Sequence, residues 1–166
     1  NCSLQDDVAL VDVALSEEFL AGYAGPRFGL DGLRAAVGAQ ARALTMTALK
    51  PQGLPPADLA ALCETFARSG LDIIKDDHGI ANQRYSPFAA RVQACQAALA
   101  RANAATGGRS VYAPSLSGGP RQLREQLKIV REEGIGMVLA CPMLLGLACF
   151  EELVAELPCP VLAHPA

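Results

Sequence analysis

A run of polar side chains, Lys75 to His78, follows a mainly apolar stretch at residues 71–74. The run contains an amine, two carboxylates and an imidazole, which are groups that hold charge and exchange protons. His78 is one of only two histidines in the chain. Taken alone, the run is equally typical of a solvated loop in which an aspartate caps the next helix. Its position relative to the predicted strands is therefore needed to distinguish a functional site from a solvated loop.

Strand geometry predicts how this run is oriented. Residues two apart in a strand point to the same side, so Lys75 and Asp77 are expected to project together. Asp76 is expected to face the opposite side. His78 comes next, where the chain can turn its ring back toward Lys75 and Asp77.

Polar residues also follow other predicted strands. Lys50 ends the first and His164 ends the fifth, whereas Pro114 and Cys141 follow the third and fourth. In parallel α/β folds the functional groups lie at the carboxyl ends of the strands. The joint placement of these residues favours a functional site over a solvated loop.

Strands and helices alternate along the sequence, which is typical of βαβ units and a parallel sheet. A helix of this kind has Leu59, Leu62, Cys63 and Phe66 on one face and ends near Gly70. The predicted strands are residues 43–49, 71–74, 110–113, 136–140 and 160–164. The other predicted helices are residues 87–105, 120–134 and a short one around 150–154.

Two architectures fit this order. One is a five-stranded doubly wound sheet, which is complete in about this length. The other is a (β/α)₈ barrel of about 250 residues, of which this chain would contain the first five strands. The glycine-rich fingerprints of dinucleotide-binding and P-loop proteins are absent from the sequence, which disfavours both kinds of site.

Composition excludes several classes of function. The 166 residues are 51% hydrophobic and carry a net charge of −3 that is well mixed, so no basic face for nucleic acid is expected. No apolar run is long enough to span a bilayer, and no signal peptide is predicted at the N-terminus. The six cysteines form no CxxC pair, which disfavours a zinc site and is typical of buried thiols in a cytoplasmic protein.

The segment GLDIIKDDHGIANQRYSPFAARV, at residues 70–92, resembles the active-site signature of ribulose-bisphosphate carboxylase (RuBisCO) and its RuBisCO-like relatives. Lys50-Pro51-Gln52-Gly53-Leu54 resembles the family's Lys-Pro-Lys loop after the preceding strand, and His164 matches a histidine on the fifth strand. The resemblance implies the first five strands of the family's (β/α)₈ barrel. Residues 30–166 would form the N-terminal part of that barrel, and residues 1–29 would lead into it.

The resemblance also implies a chemistry. In the family the lysine of the signature is carbamylated by CO₂ and binds Mg²⁺ with two acidic residues, positions held here by Lys75, Asp77 and His78. Lys50 matches a lysine that moves protons at the substrate, and His164 is a second candidate for that role. From the residues themselves, Ser117, Gly118 and Gly119 precede a helix and could bind a phosphate through backbone N–H groups.

Four positions depart from the carboxylase pattern. His78 replaces a glutamate, so the metal is of another kind, is held more weakly, or His78 is an acid–base group. Gln52 replaces a lysine, Pro114 an asparagine, and Pro165 a phosphate-binding arginine. CO₂ fixation is therefore not expected, and the departures indicate the non-carboxylating branch.

The expected activity is that of an enolase or isomerase that removes a proton next to the carbonyl of a phosphorylated ketose of the methylthioribulose-phosphate type. The expected cofactors are Mg²⁺, or another divalent metal, and CO₂ as a lysine carbamate. The alternatives are a decarboxylase or transcarboxylase of a 3-oxo sugar-acid phosphate, and an inactive family member that serves in binding or regulation. The family also implies a homodimer whose subunits share each active site.

Overall fold

The structure, a computed structural model, describes residues 7–23 and 25–165. Its strands are all parallel to their neighbours and form two three-stranded sheets. The first sheet has the order β1-β2-β3 and the second the order β4-β5-β6. The strands are β1 (Met46–Leu49), β2 (Ile73–Asp76), β3 (Val111–Ala113), β4 (Ser115–Leu116), β5 (Val138–Ala140) and β6 (Val161–Ala163).

Helices connect the strands as the sequence predicts, and proline and glycine mark their ends. Pro56 and Pro120 occupy the first turns of α3 and α5, where the lack of an N–H costs nothing, and Gly107 follows α4 with φ of +68°. The helices are α1 (Glu17–Leu20), α2 (Gly29–Val37), α3 (Pro56–Arg68), α4 (Phe88–Thr106), α5 (Pro120–Glu132), α6 (Pro142–Leu145) and α7 (Leu147–Glu156).

Strand order runs along the chain without reversal among the described strands. A doubly wound sheet reverses its order at a switch point, so that alternative does not fit these strands. The predicted third strand is divided, because Pro114 lacks an N–H and interrupts the ladder between β3 and β4. The second strand lies two residues later than predicted, so Lys75 and Asp76 belong to β2 itself.

The sheet is packed on both faces. Ile74 lies on the face covered by α3, α4 and α5, in the larger apolar core, whereas Ile73 lies on the opposite face with Met137 and Val37 of α2. Neighbouring residues of β2 thus point to different environments, as the alternation of a strand requires. The face under α3, α4 and α5 is here called the helix-covered face, and the polar residues lie at the carboxyl ends of the strands.

The thiols agree with the prediction of unpaired cysteines. Five cysteines are free, and four of them are buried, the exception being the half-buried Cys149. Cys2 lies outside the described residues. In the part of the chain that the structure describes, no helix has the length and apolar character needed to cross a membrane.

Candidate active site

The carboxyl end of β2 separates its charged side chains between two faces. Asp76 is fully buried on the helix-covered side, whereas Lys75 and Asp77 project on the other side, as the sequence predicts. Lys75 is half-buried and its Nζ donates to the main-chain carbonyl of Asp76 at 3.2 Å. The strand therefore presents one amine and one carboxylate at the edge of the sheet formed by the carboxyl ends of the strands, which we call the mouth of the sheet.

Asp77 is the centre of the polar cluster at this mouth. Its Oδ2 lies 3.1 Å from Lys50 Nζ, and its Oδ1 accepts from the Gly79 N–H at 2.9 Å and lies 3.4 Å from His78 Nδ1. Burial raises the pKa of Asp77, but the Gly79 hydrogen bond and the Lys50 and His78 charges outweigh it and hold the pKa below its ordinary value. Asp77 is therefore an anion that can bind a cation.

Two histidines from distant strands meet beside Asp77. The rings of His78 and His164 stack with centroids 4.4 Å apart and planes inclined by 25°. His164 follows β6, where its N–H donates to the Ala140 carbonyl of β5 at 2.9 Å. Desolvation, followed by the neighbouring charges of His78 and Lys75, lowers the pKa of His164. At neutral pH its imidazole is accordingly neutral and able to accept a proton.

A cavity of about 210 Å³ lies next to His78. Ser117 and Gly118 line it together with Ser115 and Cys141, so part of the glycine-containing segment joins the cluster. Two of the three backbone donors of Ser117–Gly119 are already engaged, however. The Ser117 N–H donates to Gln126 Oε1 at 3.0 Å, and the Gly119 N–H donates to Gln122 Oε1 at 3.1 Å. A phosphate could use these two N–H groups only by displacing the glutamine side chains.

A larger cavity of about 950 Å³ lies elsewhere. It is lined mainly by apolar residues of α2, of α7 and of the sheet face opposite the helix-covered one, such as Leu33, Phe150 and Met137. None of the polar residues at the strand ends lines it. Size alone would select this cavity, but His78 lines the smaller one.

Gln52 reaches across the mouth from the loop after β1. Its side-chain amide occupies the space where a Cβ on residue 79 would stand, so Gly79 is required for this close approach. The exposed Gln52 and the loop after β2 are therefore in contact beside Asp77.

One part of the site was missed by sequence reasoning. Asp76 Oδ2 accepts from Arg91 Nε at 3.1 Å and from the Ser115 N–H at 3.0 Å, and Oδ1 accepts from the Tyr112 hydroxyl at 2.7 Å. Arg91 is completely buried. Arg91 lies three residues after Phe88 and four before Cys95, on the apolar face of α4, and a charge in that position indicates a buried partner.

The groups around Asp76 shift its pKa in opposite directions. Burial raises the pKa of Asp76 above its ordinary value, and the Arg91 charge and the Ser115 and Tyr112 hydrogen bonds offset only part of this rise. Burial and the nearby carboxylate raise the pKa of Tyr112 well above its ordinary value, so its hydroxyl remains protonated and donates.

The donor set fits a divalent metal only with Lys75 included. In the described part of the chain, no group of three or more His, Cys, Asp or Glu side chains could hold a metal ion. Asp77 and His78 supply one oxygen and one nitrogen donor. A carbamate on Lys75 would add an anionic oxygen on the same strand face, which suits a hard cation.

The chain is similar to several known proteins. The family model of the ribulose bisphosphate carboxylase large chain, catalytic domain, matches residues 29–159. A 5-methylthioribulose-1-phosphate isomerase of Rhodospirillum rubrum is 52% identical, covering 99% of this chain and 45% of the relative. A 2,3-diketo-5-methylthiopentyl-1-phosphate enolase of Geobacillus thermodenitrificans is 36% identical, covering 99% of this chain and 40% of the relative.

A solved structure is also similar. The crystal structure of a Rubisco-like protein from Rhodopseudomonas palustris shares 51% sequence identity and a TM-score of 0.93, covering 98% of this chain and 47% of that chain. The chain spans less than half the length of these relatives.

Proposed function

The chain belongs to the family of RuBisCO large chains and RuBisCO-like proteins, as its resemblance predicted, and from that premise we propose an enolising isomerase. The substrate is a phosphorylated ketose of the methylthioribulose-phosphate type, and the first step removes a proton next to its carbonyl. The observation that carries the proposal is the convergence of Lys50, Asp77, His78 and His164 at one mouth of the sheet. Isomerisation is favoured over the enolase reaction because the relative named as an isomerase is the more similar of the two.

Lys75, as a carbamate, would hold the metal together with Asp77 and His78. A divalent metal bound there supplies polarisation of the substrate carbonyl, which makes the neighbouring C–H more acidic. If His78 is instead an acid–base group, Asp77 and Lys75 remain as the anionic ligands, and the metal is held more weakly.

Proton transfer is assigned to His164 or Lys50. His164, neutral at the mouth, takes the proton from the carbon next to the carbonyl and returns it to the former carbonyl carbon. The hydroxyl proton of the first carbon passes to the former carbonyl oxygen, so the carbonyl moves by one carbon. Lys50 carries an ammonium group beside Asp77, where it can stabilise negative charge that develops on the substrate oxygen. Asp77 keeps the Lys50 and His78 side chains at the mouth.

The proposal includes the complete fold, the cellular location and the oligomeric state of the enzyme. The full-length protein closes the sheet into a (β/α)₈ barrel, works in the cytoplasm, and forms a homodimer in which each site is completed by the other subunit. The Ser117–Gly119 segment is kept as a candidate for the substrate phosphate, through the Gly118 N–H and the Ser117 hydroxyl, whose neighbouring N–H donors are engaged.

The test is exchange of the substrate proton with solvent. The full-length enzyme is incubated with 5-methylthioribulose 1-phosphate and a divalent metal in D₂O, and deuterium incorporation is followed by NMR. We expect incorporation at the carbon next to the carbonyl, which is lost in His164→Asn or in Lys50→Met and retained in Lys128→Met, a control at an exposed lysine paired with Glu132.

Absence of exchange with that substrate and with its diketo analogue would refute the proposed function. Release of CO₂ from a 3-oxo sugar-acid phosphate would instead assign the decarboxylase reaction, which breaks a C–C bond. Failure to bind any divalent metal, with a biological role that survives Lys75→Ala, would assign a binding or regulatory role.

A further inference from the structure

We propose that Asp76 is a positioning residue for the mouth of the sheet: its buried carboxylate fixes the end of β2 to the start of β4. The inference rests on the proposed function for its catalytic consequence and on geometry for its structural one. Asp76 lies between Lys75 and Asp77 but faces the helix-covered core, so it does not touch the reacting groups. It acts through its neighbours.

The carboxylate of Asp76 replaces a main-chain acceptor in the ladder between β2 and the third strand. The Val111 N–H donates to the Asp72 carbonyl at 2.8 Å, and the same register, advanced by four residues, would pair the Ser115 N–H with the Asp76 carbonyl. The Ser115 N–H instead donates to Asp76 Oδ2 at 3.0 Å. The Asp76 carbonyl accepts from Lys75 Nζ. Because the side chain of Asp76 accepts from the Ser115 N–H, the Asp76 carbonyl remains available to accept from Lys75 Nζ at the mouth.

The same carboxylate also fixes the two segments that border the small cavity. Through Ser115 it holds the segment 115–118, which lines the cavity together with His78. Through Arg91 it holds the loop that carries His78, because Arg91 Nη1 donates to the Ser86 carbonyl at 2.8 Å while Nε donates to Asp76. One buried group therefore sets the distance between the walls of the cavity.

Tyr112 makes this arrangement rigid. Its hydroxyl donates to the second oxygen of Asp76, and Asp76, Arg91 and Tyr112 are all within 1% of complete burial. A carboxylate with both oxygens bound has no alternative orientation in a dry core. Weakening any one donor should loosen the mouth without removing a group from it.

The experiment compares full-length variants at the two ends of β2, where Asp76 is the last residue of the strand and Asp72 directly precedes it. Asp76→Asn and Tyr112→Phe alter the network at the mouth, and Asp72→Asn alters a buried aspartate at the other end, bound by Arg42. The measurements are kcat and KM for deuterium exchange, half-saturation by Mg²⁺, and amide hydrogen exchange at Gly79 and Ser115 without metal or substrate.

For Asp76→Asn and Tyr112→Phe we expect a loss of about tenfold or more in kcat or in Mg²⁺ affinity, the scale found for groups that orient metal ligands, with a smaller change in KM. Exchange at Gly79 and Ser115 should accelerate. Asp72→Asn should leave all of these unchanged. If Asp76→Asn does not fold, Tyr112→Phe decides, since it keeps the ion pair.

Two failures are distinguishable. If the wild type catalyses exchange and folded Tyr112→Phe matches Asp72→Asn in every measurement, the positioning role is wrong and the proposed function stands. If the wild type is inactive with every substrate tested, the proposed function is wrong. Amide exchange at Gly79 and Ser115 then decides the positioning role by itself, and unchanged rates in Tyr112→Phe would overturn it.

Discussion

Both ends of strand β2 carry an aspartate bound by an arginine, yet the two pairs lie in different surroundings. At the amino end, Asp72 accepts two hydrogen bonds from Arg42 and two from Thr45, and the Arg42 side chain is 56% exposed. At the carboxyl end, Asp76 and its partner Arg91 are both 0% exposed. Both aspartates are buried, so the two pairs differ mainly in the exposure of their arginines to water.

The two surroundings indicate how one strand separates stability from function. Water can replace a lost partner at Asp72, so that pair anchors the start of β2 at modest risk. No water reaches Asp76, so each missing partner there leaves an uncompensated polar group. The buried pair, in which loss of a partner should cost the most free energy of unfolding, lies where the geometry of the mouth depends on it. The pair with the exposed arginine lies at the other end of the strand.

The largest difference between the two ends is expected on removal of the arginines. Arg91→Met leaves the buried Asp76 without its counter-charge, and we expect the free energy of unfolding to fall by about 3–5 kcal/mol. Arg42→Met should cost clearly less, because Asp72 retains Thr45 and gains water. Urea unfolding of both variants checks this, and equal losses would contradict the difference in burial.

Asp77 extends the contrast from stability to activity. Asp77→Asn removes the anion at the centre of the mouth, and we expect kcat to fall by at least about 10²-fold, the scale for a group that stabilises charge in the transition state. Asp72→Asn, the same change at the other end, should lower stability and spare kcat. Steady-state kinetics with thermal unfolding separates the two effects, and retained activity in Asp77→Asn would remove this residue from the mechanism.

Removal of one hydroxyl at each end gives a finer comparison. Tyr112→Phe removes the bond to Asp76 in the dry core and should lower the free energy of unfolding by about 1 kcal/mol. Thr45→Val removes two hydroxyl bonds to Asp72, one donated to Oδ2 and one accepted from the Asp72 N–H, but at an exposed residue where water can replace them, and should cost less. Denaturant titration of both variants measures the difference. A larger loss in Thr45→Val would reverse the proposed ranking of the two ends.

The smallest expected effect is a pH dependence at the amino end. The hydrogen bonds from Arg42 hold the pKa of Asp72 well below its ordinary value of about 3.9, so the folded state favours the ionised form. Its contribution is complete above about pH 5 and is lost as the pH falls through the folded-state pKa. The stability difference between wild type and Asp72→Asn should therefore be constant near neutrality and shrink in acid. A difference that grows below pH 4 would contradict this sign.

Much of this fold could be predicted from the sequence because its periodicities are local. The alternation of strands and helices, the opposite orientations of Lys75 and Asp76, and the carboxyl-end positions of Lys50 and His164 follow from residue spacing. The division of the third strand could also be inferred from Pro114. The sequence likewise contains the family signature, which the comparisons bear out.

The rest depends on distances between residues far apart in the chain. Nothing in the spacing of Asp76 and Ser115 indicates that a side chain takes the place of a main-chain acceptor. The engagement of Ser117 and Gly119 by glutamines is equally invisible, because it depends on the side-chain rotamers of α5. The stacking of His78 on His164 requires the curvature of the whole sheet. Arg91 alone offered a signal, as a charge on an apolar helix face.

The close approach of Gln52 to Gly79 links the identities of two positions that lie 27 apart in the sequence. A methyl group at 79 would overlap the amide of Gln52, and this flexible, exposed side chain would swing into solvent rather than distort the backbone. Positions 52 and 79 should therefore co-vary. In a library randomised at both, variants with a side chain at 79 should be recovered together with short residues at 52, and the loops after β1 and β2 should be exchanged between homologues as a matched set.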